Sequence, residues 1–313
     1  MQLKILNESK VETGKIELPL QFKESIRPDM IKRAVLVINS NNRQPYGAYI
    51  KAGMRASAEL SRRRHKYRGS YGAGISRVPR KIMSRRGTRL NWVGAFAPGT
   101  VKGRRAHPPK AEKVWARKIN KKERRMAIRS AMAAGMVKEL VKARGHKVPE
   151  HYPFVMDTKV EDIARTKDFM AMLCKLGFQD ELARVAERKI RAGRGTMRGR
   201  KYKTRKGPLV IVSKDCPLLK AGRNMPGVEV IMVDKLNARS LAPNSTIGRL
   251  CLYSKSSIER IADEGLFTDT KNMKKTKASC RKQDNDAAGK NTAEKPSAKK
   301  PSAEKRADAG AGQ

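Results

Sequence analysis

The chain has 313 residues, of which 39% are hydrophobic, and a formal net charge of +43 at pH 7. This length and apolar content allow one or two domains with a real hydrophobic core. No stretch approaches the roughly 20 apolar residues of a membrane span, and the N-terminus lacks the apolar run of a signal peptide, so we expect a cytoplasmic protein without a membrane anchor.

Most of the positive charge lies in three segments. Residues 43–118 contain 21 basic and two acidic residues, residues 188–206 contain ten basic and no acidic residues, and residues 271–313 contain twelve basic and five acidic residues. The rest of the chain is nearly neutral. Concentrated arginine with glycine spacing is more typical of nucleic-acid binding than of a charged surface that only keeps a protein soluble.

The first 42 residues predict two short strands and a helix. Alternating polar and apolar residues favour strands at 2–6 and 15–22, with a turn at 12–14 between them. A proline and apolar residues at helical spacing predict a helix from about Asp29 to the polar residues 39–42.

Residues 43–118 are rich in glycine and proline and have no sustained helical or alternating apolar period, which predicts a long extended loop. Five like charges within residues 62–68 repel one another by on the order of several kcal/mol at an intermediate dielectric. A phosphate backbone relieves this repulsion and releases counterions. We therefore predict that the loop folds only against a large polyanion. Its arginines and interleaved aromatic rings favour structured RNA.

From Lys121 onward the pattern alternates between helices and apolar strands. A capping-box pattern at Asn120 and Glu123 begins a helix that is predicted to end at Gly145. Further helices are predicted at 160–176, 180–189, 215–223, 234–239 and 256–263. Strands are predicted at 154–156, 208–212, 228–233 and 249–253. This alternation predicts an α/β fold, a single globular domain with a mostly parallel sheet covered by helices and interrupted by the long basic loop.

The sequence predicts no catalytic residue, cofactor or metal. The glycines in residues 193–199 follow a predicted helix rather than a strand, so they do not match a phosphate-binding loop. The histidines share no ligand spacing, and we expect them to be exposed or to contact phosphate. A helix N-terminus explains the acidic residues Asp157, Glu161 and Asp162. The cysteines form no C-x-x-C pair, which favours reduced thiols; they are Cys174, Cys216, Cys251 and Cys280.

Several motifs occur in the order of one known family. The most specific run from Gly103 to Lys113, GRRAHPPKAEK, and from Ile119 to Ala131, INKKERRMAIRSA. Shorter matches lie at 57–59, 76–79, 189–193, 198–202, 221–224, 241–243 and 248–250. Over residues 1–265 the chain resembles the family of ribosomal protein four of the large subunit, in its archaeal and eukaryotic form. The short core is more similar to the archaeal form.

The resemblance implies a structural constituent of the large ribosomal subunit without enzymatic activity. In this family the α/β domain binds large-subunit ribosomal RNA (rRNA), and the long loop helps line the nascent-peptide exit tunnel beside protein twenty-two. The implied partners are therefore large-subunit rRNA, whose assembly the protein supports, neighbouring ribosomal proteins and the nascent peptide. We expect residues 1–42 and 119–265 to form the globular domain, 43–118 the loop and 266–313 a disordered basic tail.

The candidate site consists of basic residues in three groups. The predicted RNA-binding residues of the loop are Arg55, Arg62, Arg63, Arg64, Lys66, Arg68, Lys102, Arg104, Arg105, Lys110 and Lys113. Those of the second basic segment are Arg188, Lys189, Arg191, Arg194, Arg198, Arg200, Lys201, Lys203, Arg205 and Lys206. The predicted tunnel-tip residues are Arg77, Arg80, Lys81, Arg85, Arg86 and Arg89.

Two alternative functions stay open at this point. An RNA-modifying enzyme with a basic arm requires a cofactor loop after a strand and a poised acid or nucleophile, and the sequence contains no convincing example of either. A free regulator that binds messenger RNA away from the ribosome is compatible with the same basic residues.

Overall fold

The computed structural model describes residues 1–66 and 69–269. In this part of the chain the strands are β1 (Gln2–Leu6), β2 (Glu12–Glu17), β3 (Arg80–Arg86), β4 (Arg89–Gly94), β5 (Val155–Met156), β6 (Arg188–Ile190), β7 (Tyr202–Thr204), β8 (Leu209–Val212), β9 (Glu229–Met232) and β10 (Cys251–Ser254). The helices are α1 (Pro28–Asn41), α2 (Lys121–Met136), α3 (Lys138–Ala143), α4 (Thr166–Lys175), α5 (Gln179–Ala186), α6 (Leu218–Arg223), α7 (Ala238–Leu241) and α8 (Lys255–Asp263). The predicted disordered tail lies, from residue 270 onward, outside the described residues.

Six strands form one sheet in the order β2-β1-β5-β10-β8-β9. Strands β1 and β2 are antiparallel, and every other neighbouring pair in this sheet is parallel. One apolar row crosses the parallel strands in register; it consists of Ile5, Val155, Tyr253, Ile211 and Ile231. The prediction of a mostly parallel α/β sheet is therefore confirmed.

Helices cover both faces of the sheet. On one face the apolar row packs against α1, α2, α7 and α8, and on the other face Val210 and Val212 pack against α3, α4 and α6. All four residues of β8 are buried, two toward each face. Burial on both faces explains why the central strands are continuous apolar runs instead of alternating ones.

The second strand begins earlier than the sequence predicts. Strand β2 starts at Glu12, inside the predicted turn, because the turn closes sooner around Asn7. The Oδ1 atom of Asn7 accepts hydrogen bonds from the backbone N atoms of Ser9 and Val11, each at 3.0 Å. The predicted end of this strand is also wrong, since residues 20–22 form a short 3-10 helix after Pro19.

Several predicted helices are shorter than expected or divided, including those predicted at 215–223 and 234–239. The helix predicted to reach Gly145 divides into α2 and α3 at Val137, whose backbone is extended. The predicted helix 160–176 divides into a 3-10 helix at Thr158–Asp162 and α4. Helix α5 ends at Ala186, and the residues predicted to complete it begin strand β6 instead.

A buried carboxylate joins the carboxyl ends of three parallel strands. Glu161 follows β5, and it accepts hydrogen bonds from Ser213 after β8, from Ser254 at the end of β10 and from Ser256 in the first turn of α8. The four donor distances, which include the backbone N of Ser213, range from 2.5 to 3.0 Å. Burial alone raises the pKa of Glu161, but these hydrogen bonds outweigh it and lower the pKa. Glu161 lies in the first turn of the 3-10 helix Thr158–Asp162, as predicted, and its carboxylate in addition joins the strands.

A second buried carboxylate, Glu181, holds the end of the second basic segment through Arg184. Its oxygens accept hydrogen bonds from Arg184 at 2.6 and 2.8 Å and from the backbone N of Lys147 at 2.9 Å, and Oε1 lies 2.6 Å from Nδ1 of His146. Arg184 also donates to the backbone O of Lys206 at 2.9 Å. The expectation that His146 is exposed is wrong, because its side chain is buried, and this burial lowers the pKa of its imidazole.

Contacts of the globular body continue past residue 265. Leu266 and Phe267 pack against the core cluster on the face of the sheet that α1, α2, α7 and α8 cover. Arg129 donates to the backbone O of Phe267 at 2.7 Å, and its guanidinium pairs with Asp269 at 3.2 Å and with Glu24 at 2.7 Å. The segment that follows α8 is thus attached to α2 as far as Asp269.

Candidate nucleic-acid interface

Residues 43–118, which we call the arm, leave the body after α1 and return just before α2. Neither core cluster contains a residue of the arm. The two ends are joined at the body, where the Ser40 hydroxyl donates to the backbone O of Trp115 at 2.5 Å and Asn41 accepts from the backbone N of Arg117 at 2.8 Å. The arm is therefore attached to the end of α1 on both sides.

The outgoing and returning halves of the arm lie against each other. The backbone N of Ala48 donates to the O of Pro109 at 2.9 Å, and the N of Ala95 donates to the O of Pro79 at 2.8 Å. A Cβ atom at Gly47 would lie 2.5 Å from the backbone N of Ala111, so this contact requires glycine. The arm is a folded-back ribbon in the described residues.

The arm also contains regular structure that the sequence analysis did not predict. Strands β3 and β4 form an antiparallel hairpin in which Arg86 pairs with Arg89 across the turn. Ile82 lies opposite Trp92, and both side chains are half-buried. The signal was present, because Gly87 has the positive φ of a tight turn and Leu90 and Trp92 alternate with polar or exposed residues. The many arginines hid this alternation.

The structure exposes most of the predicted RNA-binding residues of the arm. Arg104 is half-buried, and Arg68 lies outside the described residues. The exposed members are Arg55, Arg62, Arg63, Arg64, Lys66, Lys102, Arg105, Lys110 and Lys113. Among the predicted tip residues, Arg80 is half-buried and the others are exposed; they are Arg77, Lys81, Arg85, Arg86 and Arg89.

Predicted groups that are distant in sequence meet in two grooves of the arm. Lys66, from the outgoing half, lines a groove of ≈ 560 Å³ together with the tip residues Arg80 and Lys81. Lys81 also lines a groove of ≈ 460 Å³ with Arg55 and Lys102. The outgoing, tip and returning groups therefore form one continuous basic surface rather than three separate ones.

Several arginines of the arm lie over aromatic rings. The guanidinium of Arg55 lies 4.9 Å from the ring centre of Tyr49, and that of Arg77 lies 4.6 Å from the ring centre of Tyr71. Arg80 and Arg104 make similar contacts with Trp92 and Phe96, at 5.5 and 5.8 Å. Each exposed contact contributes about 0.5–1 kcal/mol. These pairs hold guanidinium planes at the surface, where they are available to phosphates and unpaired bases.

The second basic segment forms a hairpin of β6 and β7. Lys189 lies directly opposite Lys203, and Ile190 lies opposite Tyr202. Like charges in facing positions destabilise a sheet unless a counter-charge binds there. All four side chains are exposed, as are the predicted RNA-binding residues Arg188, Arg194, Arg198, Arg200 and Lys201.

Three predicted RNA-binding residues of this segment also bind the protein itself. The Arg205 guanidinium pairs with Glu187 at 2.8 Å, and the Lys206 ammonium pairs with Glu229. Arg191 is half-buried and donates to the backbone O of Arg200 at 3.1 Å. These contacts attach the hairpin to the body and close its loop, so the free cations are concentrated on β6, β7 and the loop between them.

We predict that replacing Lys189 and Lys203 together with Gln weakens RNA binding equally for all sequences. Two lost phosphate contacts make the log–log salt slope shallower by about 1.4, and removal of the facing charges also relieves repulsion within the hairpin. Filter binding of rRNA fragments between low and moderate salt measures this slope. Arg205→Gln is the control, since its ion pair with Glu187 leaves it less available. A selective loss for one RNA sequence contradicts phosphate binding by the two lysines.

Within 1–66 and 69–269, no three His, Cys, Asp or Glu side chains are placed to hold a metal ion together. No helix in the same two ranges is long and apolar enough to cross a membrane.

The fold and the surface together define an α/β protein whose arm and hairpin present a basic face suited to a polyanion. Residues 16–264 match the model of the ribosomal protein L4/L1 family, and the chain belongs to this family. It is 49% identical to large ribosomal subunit protein uL4 of Nanoarchaeum equitans over 268 residues, which cover 85% of this chain and 100% of that protein.

Other archaeal relatives are similar over the same extent. Large ribosomal subunit protein uL4 of Methanococcoides burtonii is 44% identical over 84% of this chain and 98% of its own length. The protein of the same name from Archaeoglobus fulgidus is 42% identical over 84% of this chain and 99% of its own length. The family is a structural, non-enzymatic component of the ribosome. The predicted family, its archaeal character and the assignment as a non-enzyme are confirmed.

Proposed function

We propose that the protein binds large-subunit rRNA, supports assembly of the large ribosomal subunit and extends its arm toward the nascent-peptide exit tunnel. The observation that carries this proposal is the arm, which has 21 basic and two acidic residues and contributes nothing to either core cluster. A segment that the fold does not need, and that repels itself, requires a polyanion for its function. The names of the archaeal relatives, large ribosomal subunit protein uL4, support large-subunit rRNA as that polyanion.

Each part of the chain has a role in this proposal. Residues 1–42 and 119–265, with the attached segment to Asp269, form the globular domain on the rRNA surface. The arm, residues 43–118, enters the particle, and its β3–β4 hairpin reaches the tunnel wall near protein twenty-two and the nascent peptide. The β6–β7 hairpin gives the globular domain a second rRNA contact. The remaining part of the 266–313 tail adds twelve basic and five acidic residues from residue 271 onward.

Sedimentation tests the ribosomal assignment. The tagged full chain, expressed in the organism that encodes it, is expected to migrate with large subunits through a sucrose gradient at high salt. A protein that stays at the top of the gradient while still binding RNA would instead be a free regulator. The marker for large subunits in the same fractions is their rRNA.

Salt dependence tests whether the contact is electrostatic. If about ten phosphates are neutralised, the log–log slope of binding against salt is near −7 with the single-strand coefficient. Titration of the purified full chain with transcribed large-subunit rRNA at several salt concentrations measures this slope. A slope near zero rules out the proposed electrostatic contact.

A further inference from the structure

A groove of ≈ 790 Å³ lies where the arm joins the body; we call it the neck groove. Its lining includes His107 and six further polar or aromatic side chains, which are Tyr46, Arg105, Lys110, Glu112, Lys113 and Trp115. This volume falls within the range of about 300–1,000 Å³ that is usual for small-ligand pockets. Two hydrogen bonds lie beside the groove: the backbone N of Ala48 donates to the O of Pro109 at 2.9 Å, and the Ser40 hydroxyl donates to the backbone O of Trp115 at 2.5 Å.

An aromatic stack forms one wall of the neck groove. The rings of Tyr46 and Trp115 are nearly parallel, with an interplanar angle of 16° and centres 5.8 Å apart. Arg43 lies 3.7 Å from the centre of the Trp115 ring, and the Lys113 ammonium lies 4.6 Å from it. Tyr46 is 49% exposed, so it is the accessible ring of the stack. Such a ring offers a flat surface on which an unpaired base can stack.

The indole of Trp115 has an unused hydrogen-bond donor. Its Nε1 atom is shielded from solvent and has no acceptor among the described residues. A shielded donor without an acceptor costs about 1–3 kcal/mol.

The carboxylate of Glu112 is unexpected in a groove lined by cations. It is one of only two acidic residues in the arm, and the side chain is exposed. Among the described residues it forms neither an ion pair nor a hydrogen bond. A carboxylate repels phosphate, so it weakens RNA binding unless it accepts hydrogen bonds from a base.

We propose that the neck groove binds an unpaired guanine base of RNA. A carboxylate is an acceptor with two oxygens, and the Watson–Crick edge of guanine offers two adjacent donors, N1–H and N2–H. Adenine and cytosine place an acceptor beside their amino group, and uracil has one donor between two carbonyl oxygens. Guanine is therefore the base that Glu112 can hold with two parallel hydrogen bonds, while Tyr46 stacks on its face.

The cations of the groove complete the site. Arg105 and Lys110 lie on the returning half of the arm and can neutralise the phosphates on either side of the bound nucleotide. The phosphate contacts position the RNA, and Glu112 supplies the base preference. This inference rests on the proposed RNA-binding function and adds a sequence preference to it.

Tryptophan fluorescence can report on this groove alone. The chain has two tryptophans, Trp92 and Trp115, so the full-length Trp92→Phe variant leaves only the neck-groove reporter. Labelled nine-nucleotide uridine RNAs with a central G, A, C or U are titrated into this variant. We expect the G oligonucleotide to quench Trp115 at a concentration lower by about tenfold, the discrimination of a bidentate base contact.

Glu112→Gln is the decisive variant, because simple electrostatics and base recognition predict changes in two different quantities, the overall affinity for RNA and the preference for G. Removing a negative charge strengthens non-specific RNA binding, whereas loss of the carboxylate abolishes the preference for G. We expect loss of the preference. Glu8→Gln, which makes the same charge change at an exposed residue of the body, should retain it.

Two outcomes overturn the proposal. One is equal quenching by all four oligonucleotides; the other is an unchanged G preference in Glu112→Gln. RNA binding is followed at the same time by anisotropy of the labelled RNA. If anisotropy shows binding while Trp115 shows no base preference, the guanine site is wrong and the RNA-binding function stands. If anisotropy shows no binding, the RNA-binding function itself fails.

Discussion

Excision of residues 49–108, with Ala48 joined to Pro109 through two glycines, is expected to leave the body folded while rRNA affinity falls steeply. The join is short because the backbone N of Ala48 and the O of Pro109 are 2.9 Å apart. The excised segment carries sixteen basic residues and one acidic residue. If six of these cations contact phosphates, the log–log salt slope of binding becomes shallower by about 4.

Stability should be nearly unchanged because the excised residues lie outside the core. Neither core cluster includes a residue of the arm, and the buried apolar residues of the arm, Ala95 and Ala97, are small. The excision also removes the mutual repulsion of the arginines. Urea unfolding should therefore give a similar free energy of unfolding for the excised and full-length proteins.

A triple substitution distinguishes the loss of positive charge from the loss of the folded arm. The triple variant in which Arg85, Arg86 and Arg89 become Gln retains the arm and should make the slope shallower by about 2. If the excised protein unfolds at lower urea, the arm belongs to the core. If its slope equals that of the full chain, the arm is not the principal rRNA contact.

The sheet could be predicted from the sequence because its strands are buried on both faces. Residues 209–212 form a continuous apolar run, which has few other interpretations when helical segments flank it. The hairpins β3–β4 and β6–β7 lack a continuous apolar run, since arginine and lysine occupy eight of their 19 strand positions. Their stability comes from turn geometry and cross-strand contacts between particular partners, and a single sequence does not indicate those partners.

The candidate site shows the same limit. Charge density alone identified the two basic segments, because repulsion depends on composition. The pairing of Lys206 with Glu229, 23 residues away in sequence, depends on the folded chain. The groove that brings Lys66 beside Arg80, and the stacking of Tyr46 on Trp115, likewise arise from contacts between distant residues. The sequence therefore predicts which segments are basic, and the fold determines which of their residues lie close together.

Replacing Glu161 with Ala is expected to lower the free energy of unfolding by about 3 kcal/mol or more. The carboxylate accepts four hydrogen bonds, from the N and Oγ of Ser213 and the hydroxyls of Ser254 and Ser256. Its loss leaves these donors, at the ends of β8 and β10, without their acceptor. Open α/β sheets commonly bind ligands at the carboxyl ends of their strands. In this protein Glu161 and its serines fill part of that edge with internal hydrogen bonds.

The contribution of Glu161 should also depend on pH in a defined direction. Because its pKa in the folded protein lies below the ordinary value of 4.5, the folded state binds fewer protons than the unfolded chain. The stabilisation is therefore complete above the unfolded pKa and is lost as the pH falls through the folded pKa. We expect the difference in unfolding free energy between the wild type and Glu161→Gln to narrow as the pH falls below about 4.5, the ordinary pKa of a glutamate side chain.

Urea unfolding at a series of pH values measures this difference, and Asp162→Asn is the matched control. Asp162 is the next residue in the chain but is exposed, so its substitution should change stability by no more than about 0.5 kcal/mol at any pH. A constant difference between the wild type and Glu161→Gln would mean that the hydrogen bonds do not depend on the charge of the carboxylate. If the difference in unfolding free energy narrows at low pH, and Asp162→Asn leaves the stability unchanged, the ionised carboxylate is the group that joins β5, β8 and β10.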